Sequence, residues 1–504
     1  MTVPATVARR KPQRTQGSPG ILNSSGLRVL GAFSGLLVFV LFVAVDAQQR
    51  PDRSKPPALA APPPLSLPAI QKRALSNGLP VWLIETHEVP LVQVNLVVLA
   101  GSGDDPAGKF GVASLTAAML DEGAGKRSAL EIADDVDFLG ANLATTSSFD
   151  SSAVRLNVPV SKLEAALPVM ADVAMRPTFP QAELDRLRQE RLTTLLQARD
   201  DGAQVAPMAF ARAVFGASHR YGTAAMGTAA TLKAFTTADL RAFHEAAYQP
   251  SNATLVVTGD MRPDAMMALL EKQFGSWRPP AKAARTPVAA PRQVTARQLV
   301  IVDMPGAEQS QIRIGWVGVP RSTPDYFTIQ VLNTILGGSF TSRLNLNLRE
   351  KNQYTYGASS RFDMRLAAGP FVAGAGVQTD KTSEALREFF NELGAITKVT
   401  PDEVTKAKNY LALGFPSEFE TTGDLAAHIE DMIVYKLPDN YFERYVPNIQ
   451  AVTADAVQKA AATYIQPAGF TIVIAGDRKV IEPGIRALKL GDVRVLSIDE
   501  ALGS

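Results

Sequence analysis

Apolar and polar positions fall into short periodic runs, and two periods alternate along most of the chain. Pro80-Val81-Trp82-Leu83-Ile84 and residues 91–99 read as strands, the second alternating around Val92, Val94, Leu96 and Val98. The run Gly111-Val112-Ala113-Ser114-Leu115-Thr116-Ala117-Ala118-Met119-Leu120-Asp121-Glu122-Gly123 is small and apolar from Val112 to Leu120. It predicts a short helix that stops at Gly123. Ser128 and Glu131 are spaced as a capping box, opening a helix that reaches about Leu139. Residues 141–160, rich in Thr, Ser and Val, predict two strands, and 163–173 and 182–198 predict amphipathic helices. The first half closes with Tyr248-Gln249-Pro250, a β-rich run over 254–260, and a helix to about Phe274.

The second half repeats this plan. Residues 312–317 predict a strand, 326–336 a helix, 371–377 a strand, and 383–396 and 403–413 helices. It closes with Tyr464-Ile465-Gln466-Pro467 and a β-rich run over 471–477. Pro467 follows Pro250 by the same 217 residues by which Gly476 follows Gly259. A shared offset for a proline and a Gly-Asp around a β-rich run is the mark of a duplicated module of ordinary domain size. Strand pairs often lack a helix between them, which favours α+β over a doubly wound fold. The fold expected is therefore two homologous modules, each a largely antiparallel β-sheet backed by α-helices.

Composition adds boundaries and an address. A chain of 504 residues exceeds what one core usually organises. Seven prolines between 51 and 68 mark an extended tether, and Pro279, Pro280, Pro287 and Pro291 mark a linker. The expected order is a targeting segment 1–47, a tether 48–74, a first module 75–278, a linker 279–297, a second module 298–482 and a tail 483–504. Arg9, Arg10, Lys11, Arg14 and Arg28 precede an uncharged run from Val29 to Val45, and small residues precede a cut after Ala47. A cleaved signal peptide is the expected reading and an uncleaved anchor the alternative. Either places the body in the periplasm or otherwise outside the cytoplasm, with any membrane contact confined to that anchor.

A net charge of +2 gives no reason to expect nucleic acid as a partner. The absence of cysteine excludes disulfides, thiolate metal sites and a cysteine nucleophile. The four histidines, His87, His219, His244 and His428, contain no pair close enough for a local metal clip.

With its frame of Gly111, Val112, Ala113, Met119 and Leu120, the chain resembles the pitrilysin/insulinase family of zinc peptidases, the inverzincins. Their helix carries His-x-x-Glu-His, two zinc ligands on one face and a general base beside the second. Here Ser114 and Ala118 stand at the two histidine positions and Ala117 at the base. Asp185-Arg186-Leu187-Arg188 resembles the run before the family's distal ligand and puts Thr194 at that ligand, or Glu190 if the register slips one turn. Alanines donate nothing to a metal, and a single Glu cannot hold zinc alone. No catalytic residue, no metal ligand and no bound cofactor are expected in this chain's own site.

The family's second element is an Arg and a Tyr seven residues apart that hold substrate near the zinc. Leu348-Arg349-Glu350-Lys351-Asn352-Gln353-Tyr354-Thr355-Tyr356 fits it at Arg349 and Tyr356. Gly337-Gly338 upstream resembles the family's glycine loop, so Arg349, Tyr356, Gly337 and Gly338 are the substrate-binding residues the resemblance implies. Both side chains are donors that would stabilise negative charge on a scissile carbonyl. The resemblance thus implies a substrate-binding subunit of a hetero-oligomeric metallopeptidase. Its partners are a zinc-bearing homologous subunit and an extended peptide added to a sheet edge. The alternative is a non-catalytic peptide-binding or scaffold protein of the same fold. A third reading, an independent zinc peptidase, needs a relocated metal site.

Overall fold

The first half folds as β1 (Gln71–Ala74), β2 (Pro80–Glu85), β3 (Leu91–Val98), a small ribbon of β4 (Gly123–Ala124) and β5 (Arg127–Ser128), then β6 (Asn142–Ser147), β7 (Ser152–Pro159) and β8 (Ala253–Gly259). The second supplies β9 (Gln298–Asp303), β10 (Gln309–Val317), β11 (Thr355–Phe362), β12 (Pro370–Gln378), β13 (Thr471–Gly476) and β14 (Val493–Leu496). This is a computed structural model, and it describes residues 65–278, 288–465 and 469–503. The targeting segment, most of the tether, half of the linker and the Gln466-Pro467 arm of the repeat lie outside the described residues. Among the described residues no helix is long and apolar enough to cross a membrane.

Each half contributes a six-stranded sheet. The orders are β1-β2-β8-β3-β7-β6 and β11-β12-β10-β13-β9-β14. Read from matching edges, β2-β8-β3-β7-β6 corresponds to β9-β13-β10-β12-β11. The pairs β2/β8 and β9/β13 are parallel, and the other neighbours in these five-strand blocks are antiparallel. The duplication seen in the spacing is thus a duplication of topology. The outermost strands break the match, since β1 runs antiparallel to β2 whereas β14 runs parallel to β9. The segment 483–504 is therefore no tail. It supplies β14, and the Ile498–Leu502 helix that follows buries Ala501.

Helices expected from the 3.6-residue period are present at Ala129–Phe138, Leu163–Met175, Gln181–Ala198, Pro263–Phe274, Tyr326–Leu336, Thr382–Ala395 and Pro401–Gly414. The Ser128 hydroxyl caps the first by accepting the Glu131 N–H at 3.3 Å, and the Glu131 carboxylate accepts the Ser128 N–H at 2.8 Å.

Two further helices cross between modules. Gly202–Phe215, from the first half, lies on the second sheet, where Val205, Ala209, Phe210 and Val214 join Val300, Val302, Val473 and Ala475 in one apolar cluster. Gly315 in β10 makes room for it: a Cβ there would sit 2.9 Å from Phe210 Cζ and 1.9 Å from the Phe371 carbonyl. Thr422–Val434, from the second half, lies on the first sheet. Its Ile429 and Ile433 pack in one cluster with Ile84, Val97 and Val256. Its Glu430 accepts Arg155 through both oxygens, at 2.9 and 2.5 Å, and Asn95 at 2.5 Å. Each sheet is thereby covered on its second face by the other half's helix, and β3 is buried along nearly its whole length, Gln93 and Asn95 included.

Candidate functional site

The helix Val112–Ala118 begins at Gly111 with φ +104°, a conformation glycine adopts without a steric cost. A Cβ at Gly111 would also meet the Met226 carbonyl at 2.5 Å. The helix start is held by Asp105, whose carboxylate accepts the N–H groups of Gly111 at 2.6 Å and Ala113 at 2.9 Å. Arg220 closes the cap, 3.0 and 2.8 Å from Asp105 Oδ2 and sandwiched between Phe110 and Phe149. Burial pushes the Asp105 carboxyl up to about 6, against the pull of Arg220 and the two N–H groups, so the pair is ionised at neutral pH. Gly111→Ala is expected to lower stability by about 1–3 kcal/mol, from strained backbone plus the clash. A denaturant titration that leaves the midpoint unmoved would show that the turn relaxes freely.

Beyond the cap, the helix offers no cation site. Ala117 is 1% exposed, so the general-base position faces packed protein. Ser114 is engaged by Arg191 of the Gln181–Ala198 helix, which donates Nη1 to Ser114 Oγ at 3.3 Å and Nη2 to the Ser114 carbonyl at 2.9 Å. Burial lowers the Arg191 pKa from its usual value, with Glu190 opposing, but a guanidinium stays charged at neutral pH. Thr194 turns its hydroxyl back onto the Glu190 carbonyl at 3.1 Å, and the Glu190 carboxylate is exposed and sits 3.5 Å from Arg186. Zinc needs three or four converging donors. Among the described residues no group of three His, Asp or Glu side chains could hold a metal. These residues do not fit zinc, and a fixed cation lies beside the first vacated ligand position.

In the second module, two local irregularities aim the Arg and the Tyr. Arg349 lies in a π-helical turn, Leu346–Lys351, where Asn352 N–H reaches back five residues to the Asn347 carbonyl at 3.0 Å. Tyr356 lies in a β-bulge of edge strand β11. Thr355 pairs with Val377 and Ala358 with Ala375, so Tyr356 and Gly357 together oppose Gly376 alone. The Thr355 hydroxyl fastens the bulge by donating to the Gly376 carbonyl at 2.6 Å. Bulges and π turns re-aim side chains and recur at functional sites. As a result Tyr356 is 92% exposed, and its hydroxyl has no hydrogen-bond partner among the described residues. Arg349 Nη1 is buried and equally without a partner. Both residues line one cavity of about 360 Å³ with Gln309, Gln353 and Gln378.

The two glycines are placed differently from the expectation. Neither lines that cavity. Gly337 docks the end of helix Tyr326–Leu336 onto β11. Its carbonyl accepts Ser360 N–H at 3.1 Å, and a Cβ would stand 2.3 Å from that nitrogen. Gly338 packs against Asn333, where a Cβ would stand 2.7 Å from Nδ2. Their loop instead presents Phe340, whose ring lies 4.1 Å beneath the Arg349 guanidinium. Asn345 joins loop and bulge, donating to the Phe340 carbonyl at 2.8 Å and accepting Ala358 N–H at 3.1 Å. Sequence reasoning misses Phe340 and Asn345. The one available signal is their position between the glycines and Arg349.

Comparison with known proteins agrees with this architecture. The insulinase (peptidase family M16) model matches residues 81–224, and the peptidase M16 inactive-domain model matches residues 234–411. An uncharacterised zinc protease of Mycobacterium tuberculosis is 26% identical over 373 residues, covering 73% of this chain and 82% of the relative. One of Mycobacterium leprae is 25% identical over 343 residues, covering 68% and 76%. A crystal structure of a peptidase M16 inactive domain from Pseudomonas fluorescens is similar with a TM-score of 0.75 and 28% identity, covering 81% of this chain and 98% of that one. The first half of a periplasmic protease from Escherichia coli shares the fold, with a TM-score of 0.68 at 17% identity, covering 88% and 98%. The chain belongs to the insulinase-like M16 peptidase family. It is a peptidase-like member whose own helix lacks the residues that would bind zinc.

Proposed function

We propose that this chain is the zinc-free, substrate-holding subunit of a hetero-oligomeric M16 peptidase. The observation that carries the reading is the pair of idle donors, Arg349 Nη1 and the Tyr356 hydroxyl, both bordering one cavity. A buried guanidinium N–H left unpaired costs free energy, and a ligand carbonyl that accepts it recovers that cost. Among the described residues the first module brings no three carboxylate or imidazole side chains together to hold a metal, so on this reading the zinc-bound water comes from a homologous partner. Arg349 and Tyr356 would hold the scissile carbonyl of an extended peptide and stabilise the charge that develops on it. The basic start and apolar run of residues 1–45 support a position outside the cytoplasm for this complex.

Co-expression with a zinc-bearing homologue tests this. Peptide hydrolysis is expected only from the complex. Arg349→Ala and Tyr356→Phe should each lower its kcat/KM by about 100-fold or more while the complex still co-purifies. The scaffold reading expects both variants to match the unaltered complex, and that result would end the proposal.

A further inference from the structure

A second cavity, of about 280 Å³, lies away from the Arg349 site among helices Gln181–Ala198 and Gly202–Phe215, the 222–229 loop and the last helix. Its walls are apolar: Leu192, Leu195, Met208 and Leu502. Three basic residues, Arg199, Arg212 and Lys233, and no acidic residue line it. Arg199 is tied to Asp499. Arg212 and Lys233 have no carboxylate within ion-pair distance among the described residues. The Arg212 guanidinium lies against Gly503, at φ +73°, so closely that a Cβ there would stand 2.4 Å from the guanidinium carbon.

We infer that this cavity binds a carboxylate carried on a short apolar tail, with the tail among the leucines and the carboxylate between Arg212 and Lys233. The charge argument is complementarity: among the described residues two cations without a carboxylate partner border an apolar pocket whose lining has no acidic side chain. The size argument limits the ligand, since drug-sized pockets run from about 300 to 1,000 Å³. A medium-chain acid fits and a whole phospholipid does not. The same chemistry comes from two sources, a free fatty acid or the C-terminus of a peptide that ends in an apolar residue.

Calorimetry on the purified full chain separates them. The probes are octanoate, octanol, and a tripeptide ending in leucine as free acid and as amide. Octanoate should bind, and octanol should bind at least about tenfold more weakly because it lacks the charge. A tripeptide acid that competes where its amide does not identifies the peptide source; no competition identifies the fatty acid. Arg212→Gln and Lys233→Gln should each weaken octanoate by about tenfold, with unchanged thermal melting confirming the fold. Absence of octanoate and tripeptide binding at millimolar concentration overturns the inference. So does binding that neither substitution weakens. Neither outcome bears on Arg349 or Tyr356, so this inference and the proposed function fail independently.

Discussion

Glu430→Ala is expected to lower the stability of the chain by about 3–5 kcal/mol, as measured by urea titration. The loss comes from what is left behind. Glu430 is 6% exposed, and its two oxygens satisfy Arg155 and Asn95 on the opposite module's sheet. Removing the carboxylate leaves a half-buried guanidinium without a counter-charge and starts a chain of losses. Asn95 also accepts from Gln93, which in turn accepts from Asn157 at 2.9 Å. Removing both charges together, as Arg155→Met with Glu430→Leu, should cost far less, because an apolar pair needs no partner. A Glu430→Ala midpoint within about 0.5 kcal/mol of the unaltered chain would mean that Ile429 and Ile433 alone hold the crossing helix.

This same network marks where reading the sequence stops. Period-two alternation locates β3 and its apolar face at Val92, Val94, Leu96 and Val98, and all four are buried. It cannot tell that Gln93 and Asn95, polar residues on the other face, are buried as well. That depends on Thr422–Val434 arriving from the other half of the chain, and a local period carries no information about which sheet a helix covers. The period also assigns no element to 202–215, where Pro207 interrupts the pattern, although that helix covers the second sheet. The repeat itself is legible because β8 and β13 each end in a glycine, Gly259 and Gly476, 217 residues apart, and each lies between one parallel and one antiparallel neighbour.

The candidate site divides in the same way. Arg349 and Tyr356 are found by spacing, and both line the cavity. The devices that aim them are not visible in spacing. The bulge depends on hydrogen bonds by Asn345 and Thr355, and the π turn on the Asn352 N–H reaching the Asn347 carbonyl, all ordinary polar residues in the sequence. At the degenerate helix the residues plainly lack metal donors. Only the structure shows that the neighbouring helix fills the place with Arg191, three residues short of the distal ligand position.

That placement yields the second large effect. Grafting the three ligands alone, as Ser114→His, Ala118→His and Thr194→Glu, is expected to bind no stoichiometric zinc by metal analysis. Arg191 now bonds to Ser114 through both terminal nitrogens, so its charge would lie within a few ångströms of the ion. At about 4 Å and an effective dielectric of ~20, the repulsion between a guanidinium and a divalent ion is about 8 kcal/mol. That corresponds to about a million-fold in affinity, reduced by however far the side chain can swing away. Adding Arg191→Leu to the graft removes the charge while keeping apolar bulk between the helices. The fourfold variant is expected to hold about one zinc per chain, as three-ligand zinc sites with a bound water do. It should remain a poor hydrolase, because Ala117, at the base position, is packed against its neighbours. If the threefold graft binds zinc as well as the fourfold one, the guanidinium is not in the metal's way. If neither binds, the two helices no longer stand at a distance that zinc can bridge.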